Sequence, residues 1–235
     1  MNPISRRLFF GQATAGLAAL TALGATAKAE LVYTPTDWKM TEFHQLLQHP
    51  ARVKQVYDVV RVDNGNFLSH IDSSLNGLHF GFGIPQDQIK IVCATHGASN
   101  LLNFDDYIWE KYKVGAGIKI NDPKTGRPAT RNIYYASPNG NPPVYASKDR
   151  NDPASSFHDT SIQALQRRGA QFLSCHTATE AQAAGIIRFL KLSQTQDEVV
   201  KDMQSHVLPG VLIVPSMVAA IAMLQSEGRF SYITI

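Results

Sequence analysis

Apolar positions along this chain alternate between two rhythms. Short β-branched runs recur, and each is followed by a stretch with helical spacing. A short helix is expected over residues 41–47. Residues 56–62 (Val-Tyr-Asp-Val-Val-Arg-Val) predict a first strand. Asn64-Gly65 marks a turn, and Phe67, Ile71, Leu75 and Leu78 line one face of a helix over 67–79. Residues 88–95 predict a second strand, broken by Gly97, and residues 99–112 a helix.

Residues 113–158 interrupt this grammar. They are dense in Gly, Pro, Asn and Asp, and a structureless segment of this length is expected to be either functional, as a lid or an oligomer contact, or partly disordered. Tyr134, Tyr135 and Tyr145 within it argue for ordering against something. The alternation then resumes. A helix over 160–168 stops at Gly169, with Asp159 as its expected cap. A strand covers 170–174, and helices follow over 177–192 and 197–206, the latter capped by Thr195. The apolar strand 210–214, a helix over 216–227 and a last strand over 230–235 complete the series. Alternating strands and helices predict a three-layer α/β/α sandwich with a mostly parallel sheet of five strands. The run Val211-Leu212-Ile213-Val214 fits a central position.

Charge separates the first 29 residues from the rest. Residues 1–29 carry Arg6, Arg7 and Lys28 and no acid, so they hold the whole formal charge of +3. The remaining chain of about 206 residues is neutral, which suits one domain and excludes nucleic-acid binding by charge. Arg6-Arg7 precedes bulky apolar residues, a mild apolar run covers 13–25, and Ala27-Lys28-Ala29 has a small-x-small pattern. Together these read as a twin-arginine signal peptide over 1–29, which predicts export by the twin-arginine translocase and a periplasmic domain over 30–235.

In open α/β sheets, sites form at the carboxyl ends of strands. Those ends are expected to deliver Asn64, then His96, Gly97 and Asn100, then Cys175 and His176, and finally Ser216. Cys175 is the sharpest candidate. At a strand-to-helix junction, N–H groups of the next turn can face its sulfur and favour the thiolate. His176 and His96 are candidate bases, and Asn64, Gly97, Asn100 and Ser216 candidate binding residues, with Ser216 also read as an N-cap. Asp105-Asp106 reads as a solvated helix face. Cys93 lies inside an apolar strand and reads as an inert core thiol. On neighbouring strands with a two-residue offset, the two cysteines would be roughly 8 Å apart, too far for a bridge without a register shift. The motifs for dinucleotides, phosphate loops and haem attachment are absent, and no cofactor or metal is assigned.

Four stretches carry a resemblance: Ser73-Ser74-Leu75-Asn76; the strand over 91–97 ending in His96-Gly97, with 100–112 after it; the Gly-x-x-Phe-x-x-Cys pattern ending at Cys175; and residues 209–235. In this order they resemble exported members of the DsrE/DsrF-like superfamily of sulfur-relay proteins. The resemblance implies an α/β/α sandwich, homo-oligomerisation, and a cysteine carrying sulfur as a persulfide, a position matched only by Cys175. It also implies a sulfur donor or acceptor protein as partner. The long 113–158 segment departs from the short loops of cytoplasmic members. The alternative expectation is an oligomeric periplasmic binding protein of the same fold without catalysis.

Overall fold

A computed structural model describes residues 40–136, 149, 151–152 and 155–235. The proposed leader over 1–29 and Tyr145 lie outside the described residues. All described residues belong to one compact unit, Thr34–Ile235. Among them, no helix is long and apolar enough to cross a membrane.

The core is a five-stranded sheet in the order β4-β3-β2-β1-β5. Its strands are β1 (Val53–Val59), β2 (Ile89–Thr95), β3 (Gln171–Cys175), β4 (Leu212–Val214) and β5 (Ser231–Thr234). Every pairing is parallel. The α/β/α sandwich expected from the alternation is therefore observed, but β4, whose apolar run suggested a central position, is an edge strand paired only with β3 and covered by helices on its faces.

Side chains alternate across the sheet with period two, and each face has its own core. Tyr57, Val59, Ile91, Cys93 and Phe172 pack on one face. That face is covered by α2 (Asn66–Asn76), α3 (Asp106–Lys111), α5 (Ile162–Arg167), α6 (His176–Leu190) and α7 (Gln196–Ser205). Val56, Val92, Ala94, Leu173 and Cys175 pack on the other, under α1 (Met40–Leu47) and α8 (Met217–Ser226). Helix α8 buries Met217, Ala220, Ile221 and Leu224 at i, i+3, i+4 and i+7, the spacing of one helix face.

The connectivity explains the layers. From β1 to β4 the chain steps across the sheet in one direction, with its helices on one face. From β4 it returns through α8 to β5, beside β1. For crossovers of one hand, reversing direction moves the connecting helix to the opposite face. Helix α8 accordingly packs across β1, β2 and β3 on that face.

Several expected boundaries shift. Strand β1 begins and ends three residues earlier than its β-branched run suggests, because its pairing with β2 ends at Val59 and Thr95. Strand β3 extends through Cys175, since Cys175 pairs with Val214. The expected helix over 99–112 is split. A 3-10 turn spans Gly97–Asn103, Phe104 bridges to Val207, and α3 starts anew. Asp105 caps that start by accepting from the Ile108 N–H, so it is not merely a solvated face. Ser161, rather than Asp159, caps α5 by accepting from the Ala164 N–H. Asp159 instead accepts from the Ser161 N–H.

The described half of the 113–158 segment is not a free lid. It contains α4 (Val114–Gly117) and an antiparallel bridge between Asn121 and Pro128. Buried Asn132 donates to the carbonyls of Leu102 and Phe104, which ties the segment to the core. Tyr134 and Tyr135 pack against the apolar cluster, and Tyr134 O accepts from the Ile162 N–H.

Candidate functional site

The carboxyl ends of β3 and β4 are adjacent, and the chain leaves them in opposite directions. Helix α6 follows β3 onto one face, and α8 follows β4 onto the other. Divergence of this kind opens a crevice at the sheet rim. A cavity of about 510 Å3 lies there, lined by Cys175, His96, Gly97, Ser216, Met217 and Gln182 among others.

Cys175 is both the last residue of β3 and the N-cap of α6. It is only 3 % exposed yet lines this cavity. Its Sγ lies 3.0 Å from Thr177 Oγ1, and the Met217 N–H donates to it over 3.3 Å. These contacts come from the first turns of α6 and α8. Donors at helix N-termini stabilise negative charge on sulfur. The sequence anticipated such a donor from the following turn. The backbone donor in fact comes from α8, one strand further along the chain.

Asn100 builds the rim without lining the cavity. Its fully buried amide uses all four hydrogen-bonding positions. Oδ1 accepts from the Cys175 N–H (2.8 Å) and the Ser174 hydroxyl (2.9 Å). Nδ2 donates to Thr179 Oγ1 and Gln182 Oε1, both at 3.0 Å. Asn100 thereby fixes the end of β3 against the first turns of α6.

Gly97 has φ +58°, and a Cβ there would lie 2.9 Å from both the carbonyl oxygen and Cγ1 of Val60. Glycine is required for both reasons. Its carbonyl accepts from Gln182 Nε2. Ser216 lines the cavity and occupies the N-cap position of α8, but its side chain makes no capping bond.

Two expected members fall elsewhere. His176 is turned to α7 and along its own helix, with Nδ1 2.8 Å from Gln204 Nε2 and Nε2 3.4 Å from Glu180 Oε1. Successive side chains at the start of a helix diverge by about 100°, so His176 does not join Cys175 in the cavity. A ligand set of His96, Cys175 and His176 therefore does not assemble. No group of three or more His, Cys, Asp or Glu among the described residues could hold a metal ion. Asn64 lines a separate cavity of about 680 Å3 with Lys124, Arg131 and Tyr134. It sits in the left-handed region before α2, displaced from the rim because β1 ends at Val59.

Both cysteines are free thiols. Cys93 pairs with Phe172, three residues before Cys175, so the two side chains occupy opposite faces of the sheet. Burial pushes the Cys93 thiol pKa well above its ordinary value.

Sequence reasoning missed Asp58, Thr177, Gln182 and the Met217 N–H. Asp58 had a visible signal, the one carboxylate within the β-branched run over 56–62. Its Oδ1 lies 2.6 Å from His96 Nε2. A larger cleft of about 640 Å3, between α2 and β5, is lined by Tyr57, His70, Ser74 and Phe82. It contains neither cysteine and lies away from the carboxyl ends of β3 and β4.

Compared with models of known families, with curated proteins and with solved structures, the chain matches none.

Proposed function

We propose that this chain is a sulfur carrier in which Cys175 accepts sulfane sulfur as a persulfide. One observation carries the reading. The Cys175 sulfur lies in the crevice between diverging helices and receives the Met217 N–H beside the Thr177 hydroxyl. The motif order that resembles DsrE/DsrF-like proteins points to the same atom.

The step balances with an organic hydropersulfide as donor. The Cys175 thiolate attacks the terminal sulfur, and its electron pair forms the new S–S bond. The donor's own S–S bond breaks, and that pair leaves on the donor thiolate, which takes a proton from the site or from water. No external oxidant is needed.

The test is intact-mass analysis after treatment with polysulfide. The expected result is a gain of one sulfur atom, lost in Cys175→Ser and retained in Cys93→Ser. An equal gain in Cys175→Ser would refute the assignment.

The leader pattern supports work in the periplasm after twin-arginine export, and the resemblance supports a homo-oligomer that exchanges sulfur with a partner protein. Replacing Arg6 and Arg7 together by lysine is expected to hold the uncleaved precursor in the cytoplasm. Unchanged export would reject that route.

A second reading, a binding protein without catalysis, draws on the deep burial of Cys175 and the apolar side chains of Leu101, Ile118, Met217 and Val218 around the cavity. It requires Cys175 to react slowly with small alkylating reagents.

A further inference from the structure

Period-two alternation puts Asp58, Tyr232 and Cys175 on the same face of the sheet, with His96 just beyond β2. Asp58 is level with Ala94 of β2 on one side and Thr234 of β5 on the other. It is the penultimate residue of β1, beside the rim where His96 follows β2. Its carboxylate accepts at both oxygens. Oδ1 receives His96 Nε2 at 2.6 Å, and Oδ2 receives the Tyr232 hydroxyl at 2.6 Å.

This arrangement settles the histidine's tautomer by inventory. A carboxylate offers only acceptors, so the bonded ring nitrogen must carry the proton. Nε2 is therefore the N–H, and the lone pair of the neutral ring is on Nδ1. His96 lines the same cavity as Cys175. A base in that cavity can take the Cys175 thiol proton and return it to the departing thiolate.

We propose that Asp58 and Tyr232 are positioning residues that hold His96 as the Nε2–H tautomer, so that Nδ1 serves as the proton acceptor for Cys175. The proposal rests on the sulfur-carrier reading for its chemistry, but the tautomer can be tested separately. It also gives the terminal strand a task. Tyr232 lies on β5, at the edge of the sheet, and links that edge to the base. The same hydrogen bond to Asp58 raises the phenol pKa of Tyr232, as expected for a donor to a carboxylate.

The experiment uses the full exported chain labelled with 15N at histidine. Ring nitrogen shifts of His96 are read in the wild type, Asp58→Asn and Tyr232→Phe, together with the rate of Cys175 alkylation by iodoacetamide across pH. The wild type is expected to show Nε2 protonated and Nδ1 free. In Asp58→Asn the carboxamide can donate to Nε2, so the proton moves to Nδ1 and alkylation near neutral pH slows by at least about tenfold, the direction known for a triad whose orienting aspartate becomes asparagine. Asp58→Glu is expected to restore part of the rate. Tyr232→Phe changes an exposed side chain and keeps a folded reference if Asp58→Asn does not fold; it is expected to slow alkylation by about twofold to threefold, the loss of one hydrogen bond to the carboxylate. A wild-type ring protonated only at Nδ1, or an unchanged pH profile in both variants, overturns the proposal. Failure of sulfur uptake with the Nε2–H tautomer observed would instead reject the carrier function and leave the Asp58–His96 arrangement standing.

Discussion

The two cysteines of this chain sit on adjacent strands of one sheet and have opposite surroundings. Cys93 lies at the middle of β2, fully enclosed by the core that α2, α5 and α6 help to form. Cys175 lies at the carboxyl end of β3, where two helices begin and part. Both are almost free of solvent. What differs is the polarity of the enclosure. The Cys93 sulfur has burial alone to set its ionisation, and burial disfavours the thiolate. The Cys175 sulfur has a backbone N–H and a hydroxyl within reach. Position along a strand, rather than exposure, separates a thiol enclosed by hydrocarbon from one that meets hydrogen-bonding groups.

The strongest test of this contrast is selective labelling. In the folded chain, iodoacetamide is expected to modify Cys175 at least about a thousandfold faster than Cys93, because Cys93 must wait for an opening that costs several kcal/mol. Peptide mapping over time measures the ratio. Comparable rates would erase the distinction.

Asn100→Leu sharpens the comparison from the structural side. It leaves the Cys175 N–H and the Ser174 hydroxyl without their acceptor in a buried setting, at about 1–3 kcal/mol each. Urea unfolding is expected to show a loss of about 2–4 kcal/mol. A change below about 0.5 kcal/mol would mean that water replaces the amide and that the rim is wetter than described.

Gly97→Ala tests the neighbouring turn. The left-handed φ costs an L-residue about 1–2 kcal/mol before the Val60 carbonyl is considered. Thermal unfolding of the variant should show at least that loss. A neutral result would require a turn that adapts freely.

The smallest effect concerns pH. The Cys93 thiol is held neutral in the folded state, while the unfolded chain ionises near its ordinary value of 9.0. Its folded pKa is therefore the higher, and its contribution is intact below pH 9 and falls as pH rises. Between pH 9 and 10 the slope from this thiol is expected to approach about 1.4 kcal/mol per unit, added to that of the tyrosines, whose ordinary value is 10.0. Urea midpoints for the wild type and Cys93→Ala measure it. An equally steep decline in the variant would assign it to another group.

Much of the architecture was legible because hydrophobic periodicity is a local property. The strand and helix series, the Phe67, Ile71 and Leu75 stripe of α2 and the Thr195 cap of α7 are written in neighbouring residues, and that cap forms as a reciprocal box with Glu198. The long segment after residue 112 was less legible. Its turn residues are real, but its anchoring depends on Asn132 reaching carbonyls some thirty residues earlier. Of the candidate site, Cys175, His96, Gly97 and Ser216 share one cavity, whereas His176 and Asn64 do not. His176 failed because adjacency in sequence is not adjacency on a helix surface. Asn64 failed because the β-branched run continues past the point where the β1–β2 pairing ends.

By itself, the sequence determined the alternation of elements, the sandwich class and the presence of a cysteine at a strand-to-helix junction. These depend on side-chain pattern within a few residues. Only the tertiary structure decided which thiol meets an N–H, which histidine turns to the cavity, and that Asp58 and Tyr232 stand behind that histidine. Such pairings join residues up to 174 positions apart. They are set by strand order and register, which bring distant rims together and which no local pattern encodes.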